Sequence, residues 1–337
     1  MIKFYKILFF STLISGTLIA ISSYSWMSMW IGLEINLLSI IPLLSDSKNL
    51  FPSESAIKYF ITQAMASTIL LFSIVSSMNL AEFQTPQPNF FLLMILNSAL
   101  LTKMGAAPFH FWLPEVMEGL NWNNNLIMLT WQKVAPMILL MYNCKMTMFL
   151  SMVIVFSSLV SGILGLNQIS LRKIMAYSSI NHIGWMIASM LNSQAIWLIY
   201  FLTYVIITFN IVLIFNLLNV FYLKQLFNSM NSNKSIKFFF ILNFMSLGGL
   251  PPFLGFFPKW ITINNLIQNN FLAISIILIV FTLIPLFFYL RITFSTMVIY
   301  SQESTIKQEK FKSYLIYSLN LVSLSGLIFC SLIFSNL

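Results

Sequence analysis

Six ionisable side chains stand inside apolar runs of this 337-residue chain. They are Glu34 in WIGLEINLL, Lys103 in LLTKMGAAP, Lys133 in TWQKVAP, Lys259 in FFPKW, and His110 and His182. A carboxylate, three amines and two imidazoles are groups that load and release protons. Cys144 and Cys330 are isolated, without CxxC or metal-ligand spacing, which argues against disulfides and iron–sulfur ligation. An ionised group at the centre of a membrane helix costs about 2.5–3.5 kcal/mol on insertion scales. One such group reads as a structural ion pair or a snorkelling lysine. Six of them, in a chain only 7% charged, read as a polar path.

Two of the lysines flank a repeated frame. Gly105, Pro108, Phe109 and Pro114 in MGAAPFHFWLP match Gly249, Pro252, Phe253 and Pro258 in GGLPPFLGFFP, all at one offset of 144 residues. Lys103 precedes the first frame and Lys259 follows the second. Proline removes a backbone donor and glycine relaxes the chain, so both frames should break the helices that contain them. Within a bilayer a break is tolerated where the freed backbone faces protein or water. Paired Gly/Pro-interrupted spans in two halves point to an inverted-repeat transporter and its ion path. A lysine ending a half-helix is favoured by the dipole, and one opening a half-helix is disfavoured. On this reading Lys103, held charged by Glu34, and Lys259 have different proton affinities, and Lys259 is the readier to release.

The elements that carry these groups are membrane spans. The chain is 59% hydrophobic with mean hydropathy +0.89, too apolar for a soluble domain of this size. With about 20 residues per span, the pattern gives about eleven, near 4–22, 26–44, 56–79, 89–118, 124–142, 147–166, 172–192, 195–222, 237–269, 271–299 and 313–334. The first is expected to be retained rather than cleaved. The broken spans are the fourth and the ninth, so each repeat holds five. Five is odd, so the second repeat is inverted. The expected fold is all-α: a single polytopic membrane domain over 1–337, with repeats at about 1–145 and 146–300 and a C-terminal helix at about 313–334.

The net charge of +9 does not indicate nucleic acid, because the basic residues occupy short loops. Lys3, Lys6, Lys48, Arg172, Lys173, Lys224, Lys234, Lys237, Lys307, Lys310 and Lys312 fall on the side of the N-terminus, and Lys145 falls opposite. That bias places the N-terminus on the cytoplasmic or matrix face and the C-terminus across the membrane. Arg172, Lys173 and Arg291 read as topology anchors. Glu115 and Glu118 are expected to be solvated at the same face. Lys58, in AIKYF, is a secondary member of the path that can snorkel to the surface.

The stretches WMSMWIGLEINLLSIIPLL, ESAIKYFITQA, LLTKMGAAPFHFWLPEVMEGL, TWQKVAP, LNQISLRKIMAYSSINHIGWM and SLGGLPPFLGFFPKW resemble the subunit 2 family of mitochondrial NADH:ubiquinone oxidoreductase (respiratory complex I). That family belongs to the antiporter-like membrane subunits, and the resemblance covers nearly the whole chain. It is to the animal form, which is shorter than its bacterial relatives by three N-terminal helices. The resemblance implies proton translocation in the mitochondrial inner membrane, among other membrane-arm and accessory subunits and membrane phospholipids. It matches the family's key glutamate to Glu34 and its lysines to Lys103, Lys133 and Lys259. Lys58 and His110 match further polar positions, and His182 falls in a family motif. It implies no cofactor on this chain, with FMN, iron–sulfur clusters and the quinone site on other subunits. An autonomous cation/proton antiporter is the alternative, although it would want more intramembrane carboxylates than Glu34. A haem held by His110 and His182 and a purely structural scaffold fit the residues less well.

Overall fold

The computed structural model describes residues 4–46, 49–83, 90–144, 146–230 and 234–298, with Ser318, Asn320 and Leu321. Among these the chain is helical, and the extended pairing present is an isolated antiparallel bridge between Ser170 and Tyr222. The expected span 313–334 lies outside the described residues apart from those last three, as do Lys3, Lys48, Lys145, Lys307, Lys310 and Lys312. Six described helices are long and apolar enough to cross a membrane. The chain divides into two compact units, Met1–Val153 and Ile154–Leu337.

In the first unit α1 (Phe4–Ser22) and α2 (Trp26–Leu44) form a close pair. Glycines bring the backbones together: a Cβ at Gly32 would lie 2.5 Å from Ala20 N, and one at Gly16 would lie 2.9 Å from Asn36 N. Small residues are what allow such an approach between apolar helices. The third helix, α3 (Leu50–Phe83), packs on α2 and on both halves of the first broken span, α4 (Phe90–Met104) and α5 (Trp112–Gly119). It starts earlier than the hydropathy pattern suggests, since Pro52 in its first turn forfeits a donor with no intrahelical partner in any case. The fifth span is itself interrupted, into α6 (Trp122–Leu129) and α7 (Trp131–Tyr142). At Thr130, φ is −112° and ψ −71°. The Thr130 hydroxyl bonds back to Leu126 O at 2.7 Å, and the Lys133 N–H bonds Thr130 O in a tightened turn at 3.3 Å. Pro136 then withholds a donor from Gln132 O, so the ladder is loosened on both sides of Lys133.

The helix α8 (Thr147–Gly165) contains the division between the units. The second unit is built on α9 (Leu171–Met190), nearly every residue of which is buried. A helix covered all round needs no amphipathic stripe, so Ser178, Ser179, Asn181 and His182 fall within its packed surface. At Gly184 a Cβ would meet the Ser157 hydroxyl of α8 at 2.3 Å. The remaining helices are α10 (Gln194–Leu218), the short α11 (Leu223–Met230), the halves α12 (Lys234–Gly248) and α13 (Phe256–Gln268), and α14 (Leu272–Val298). The short α11 falls between the expected spans 195–222 and 237–269. It is an eight-residue amphipathic helix that buries Leu226 and Met230.

Candidate functional site

Both Gly/Pro frames interrupt their helices, with residues 105–111 between α4 and α5 and 249–255 between α12 and α13. The first half of each ends in one and the same cap. Gly105 N–H bonds Thr102 O at 3.2 Å and Ala106 N–H bonds Leu101 O at 3.1 Å. At the second break Gly249 N–H bonds Ser246 O at 3.0 Å and Leu250 N–H bonds Met245 O at 3.4 Å. These are Schellman caps, which require a left-handed residue, and both glycines have φ +75°. All four donors and acceptors match at the 144-residue offset, and Ala107–Pro108 and Pro251–Pro252 are both cis.

Lys103 occupies the last turn of α4 and is 6% exposed. Around it lie groups from three other helices. Gln63 of α3 donates to Lys103 O at 3.4 Å. Tyr59 OH donates to Gln132 Oε1 at 3.3 Å, and Gln132 Nε2 donates to Asn36 Oδ1 at 2.9 Å, which ties α3, α7 and α2 together. Lys103, Asn36, Tyr59, Gln63 and Gln132 line a cavity of about 10 Å³, closed by Leu33, Leu37 and Pro136. That is about the least space a water molecule occupies, and the lining offers it several polar partners. Trp112 of α5 also donates, from Nε1 to Thr102 O at 2.9 Å, closing the break on the lysine's own turn.

Glu34 stands half-buried on α2, a step round the helix from the face of Leu33, Asn36 and Leu37 that meets the cavity. No ion pair forms between Glu34 and Lys103, whose charged atoms are more than 4.0 Å apart. Glu34 Oε1 is buried without a hydrogen-bond partner among the described residues. Lys133 is 1% exposed in the first turn of α7, adjacent in sequence to cavity-lining Gln132 but not itself part of the lining.

Lys58 is on the surface of α3, 44% exposed, and bridges Glu54 at 3.1 Å and Glu115 of α5 at 3.3 Å. Glu115 is solvated as expected, and across the surface its carboxylate reaches Lys58 of α3. His110 lies in the break itself, 3% exposed. Its Nδ1 faces Pro108 O at 3.2 Å, its ring packs on Phe111 at 4.3 Å, and its Nε2 is buried with no partner among the described residues.

In the second unit Lys259 opens α13, yet its ammonium turns back to donate to Gly248 O at 2.8 Å, at the C-terminal end of α12. The dipole argument from sequence alone is thereby reversed, because a cation at a helix C-terminus is favoured. The amine also lies over the Trp185 ring at 5.8 Å. Gly249 makes room for it: a Cβ there would sit 2.7 Å from Lys259 Cδ. On α9, His182 meets Tyr200 OH through Nδ1 at 2.9 Å, with the Tyr204 ring at 5.1 Å. The structure thus gathers Lys103, Asn36, Tyr59, Gln63 and Gln132 around one cavity within the first unit. Within the second it gathers Lys259 with Trp185, and His182 with two tyrosines. The amides and tyrosines carry no formal charge, so a search for displaced charges passes over them. The trace Asn36 and Gln132 leave is closeness in sequence to charged positions, Glu34 and Lys133, although residues one or two apart do not share a helix face.

The family model for the NADH:quinone oxidoreductase/Mrp antiporter transmembrane region matches residues 23–285. NADH-ubiquinone oxidoreductase chain 2 of Anopheles gambiae is 49% identical over 332 residues, covering 97% of both chains. The protein of the same name from Suncus etruscus is 38% identical, over 86% of this chain and 85% of its own. Among solved structures, a chain of respiratory complex I from Thermus thermophilus superposes with a TM-score of 0.87 at 22% identity, covering 98% of this chain and 79% of that one. A chain of the Mrp complex from Dietzia sp. superposes at 0.78 and 14% identity, over 96% of this chain and 74% of that one. The chain belongs to the NADH:quinone oxidoreductase/Mrp antiporter transmembrane family, among its NADH-ubiquinone oxidoreductase chain 2 members.

Proposed function

We propose that this chain is a proton-translocating core membrane subunit of mitochondrial NADH:ubiquinone oxidoreductase. In this reading it moves protons through Glu34, Lys103, Lys133 and Lys259, with Lys58, His110 and His182 as secondary members. Relatives named for that enzyme across nearly the full length support the subunit assignment. The observation that carries the path is Lys103: an amine buried at a capped helix break, ringed by amide and hydroxyl groups and a water-sized cavity. An amine so placed can take up and release a proton, and Glu34 of α2 is the carboxylate proposed to act on it. The free Oε1 of Glu34 suits this, since no hydrogen bond fixes the carboxylate at that atom.

The matched frames support a finer architecture of two inverted five-span repeats with an eleventh, C-terminal span. In that arrangement the N-terminus faces the matrix and the C-terminus the intermembrane space. The partners are the other membrane-arm and accessory subunits and the surrounding phospholipid, with no nucleic acid. The redox groups (FMN, iron–sulfur clusters and quinone) reside on other subunits. The test is Lys103→Met and Glu34→Gln, each in the assembled complex, reading protons moved per NADH oxidised. Both are expected to lower that ratio, and Lys103→Met more strongly. A normal ratio and rate in Lys103→Met would remove the path from this break.

A further inference from the structure

The lining of the Lys103 cavity contains one group whose role can reverse. Tyr59 of α3, Gln132 of α7 and Asn36 of α2 form a row of hydrogen bonds in it. The Tyr59 O–H donates to Gln132 Oε1 at 3.3 Å, and Gln132 Nε2 donates to Asn36 Oδ1 at 2.9 Å. The row has a polarity. With its proton given to Gln132, the Tyr59 oxygen keeps its lone pairs for the cavity, which Lys103 lines as well. Tyr59 and Asn36 are both buried, so bulk water does not compete for these bonds. Gln63, the other amide of the lining, is engaged elsewhere, its Nε2 on Lys103 O at 3.4 Å.

The same three side chains can be joined the other way. Turning both amides over presents Gln132 Nε2 to the Tyr59 oxygen and Asn36 Nδ2 to Gln132 Oε1. A carboxamide can reverse like this because its two ends are alike in size and opposite in character. Two hydrogen bonds stand in each arrangement, so neither breaks the row. In the second arrangement the Tyr59 O–H is released toward the cavity. The two arrangements suit the two forms of the lysine. A protonated amine has donors only and takes the Tyr59 lone pairs, directly or through a water. A neutral amine has a lone pair of its own and accepts from the Tyr59 O–H. The row also shows where it yields. The Gln132 bond to Asn36 is of ordinary length, while the bond to Tyr59 is long for O–H···O. Gln132 directly precedes Lys133 at the start of α7, and its carbonyl lacks the donor that Pro136 withholds. A shift of α7 that moves Lys133 therefore moves Gln132 against Tyr59.

We infer that Gln132 and Asn36 are positioning residues, which set whether the Tyr59 hydroxyl donates to or accepts from the Lys103 site. They carry no proton themselves. Their reversal lets the cavity hold Lys103 in either protonation state with the row intact, and it ties the state of Lys103 to the position of α7. The inference rests on the proposed proton path through Lys103 and adds to it the residues that accommodate both states.

The test uses the assembled complex with Gln132→Glu, Gln132→Met, Tyr59→Phe, the double variant Tyr59→Phe with Gln132→Met, and Lys103→Met. Protons moved per NADH oxidised are read in each, and infrared difference spectra are taken between the resting and the NADH-reduced complex. In the native complex the phenol C–O stretch that Tyr59→Phe removes is expected as a pair of bands, one lost and one gained. That mode differs between a donating and an accepting hydroxyl. Both Gln132 variants should lose the pair and show a severalfold lower proton ratio, as should Tyr59→Phe. Glutamate matches glutamine in volume and can bond both neighbours, but its carboxylate only accepts, so it fixes one polarity. A merely structural glutamine would be replaced by it without loss. The double variant should pump no worse than Tyr59→Phe alone, because both changes act through one hydroxyl. A normal ratio in Gln132→Glu, no Tyr59-dependent band pair in the native complex, or losses that add in the double variant would overturn the positioning role while Lys103→Met still fails to pump. Normal pumping in Lys103→Met would instead remove the proton path, and this role with it. A native gel reports assembly, and Gln132→Glu serves where Gln132→Met does not assemble.

Discussion

At the scale of single residues, the two break lysines solve one electrostatic problem by different routes. Lys103 belongs to the last turn of α4, and its cation benefits directly from the carbonyl end of that helix. Lys259 belongs to the helix after the break, but its side chain crosses back to Gly248 O at the end of α12. Position 115, which matches 259 in the repeated frame, is instead a glutamate that reaches outward to Lys58. The sequence places both lysines beside glycine and proline, but not the direction in which a flexible four-carbon side chain turns, and that direction reverses the sign of the dipole contribution. Gly249 is what permits it, by its left-handed φ and by lacking a Cβ in the lysine's way. Gly249→Ala is expected to cost about 1–2 kcal/mol for the backbone alone. It should also displace Lys259 from Gly248 O, so that proton pumping falls as it does in Lys259→Met. An assembled Gly249→Ala complex with an unchanged proton-to-NADH ratio would show that this contact is dispensable.

At the scale of elements, legibility followed chemistry that leaves a local trace. The breaks at 105–111 and 249–255 were readable because glycine and proline have backbone consequences that neighbours cannot override. The interruption at Thr130 was not readable, because a threonine in an apolar run is compatible with a continuous helix. It follows instead from a side-chain bond to Leu126 O combined with Pro136 further on. The amphipathic α11 was missed because eight residues give little periodicity to detect. The Lys103 cavity was half-legible: the lysine was evident, while Tyr59 and Gln63 enter only through the packing of α3. The α1–α2 pair makes the element-scale prediction. A Cβ at Gly32 would meet Ala20 N at 2.5 Å and Ala20 Cα at 2.8 Å, all backbone, so no rotamer change relieves it. Overpacking of that kind costs about 1–3 kcal/mol, and a larger side chain must move α1. Gly32→Leu should lower the thermal midpoint of the complex and reduce its assembly. Full assembly with an unaltered midpoint would mean that α1 leaves α2 at no cost.

At the scale of the whole molecule, the distribution of acids limits how protons can travel. Glu34 and every other carboxylate up to Glu118 lie in the first unit, and none follows before Glu303. The proposed path beyond the first unit therefore depends on amines, imidazole, hydroxyls and water, and among the described residues Lys133 is the last buried amine before the division at Val153. It sits on the short α7, bracketed by the Thr130 interruption and Pro136, and next to Gln132, whose amide faces the Lys103 cavity. A loosened helix can shift Lys133 toward or away from that cavity at lower cost than an intact one could. Moving one charge against 100 mV requires about 2.3 kcal/mol, so the lysines cannot drive transfer themselves. On the proposed path the work enters as a change at Glu34 and Lys103 that Lys133 then relays. Lys133→Met keeps the length of the side chain and removes its proton site, and a buried thioether costs less than a buried amine, so the complex should assemble with undiminished stability. Proton translocation should nevertheless fall to a small fraction of normal, while NADH oxidation in uncoupled membranes persists. If Lys133→Met pumped at the normal ratio, protons handled at Lys103 would have to leave the first unit without this residue, and Lys133 would revert to a structural amine.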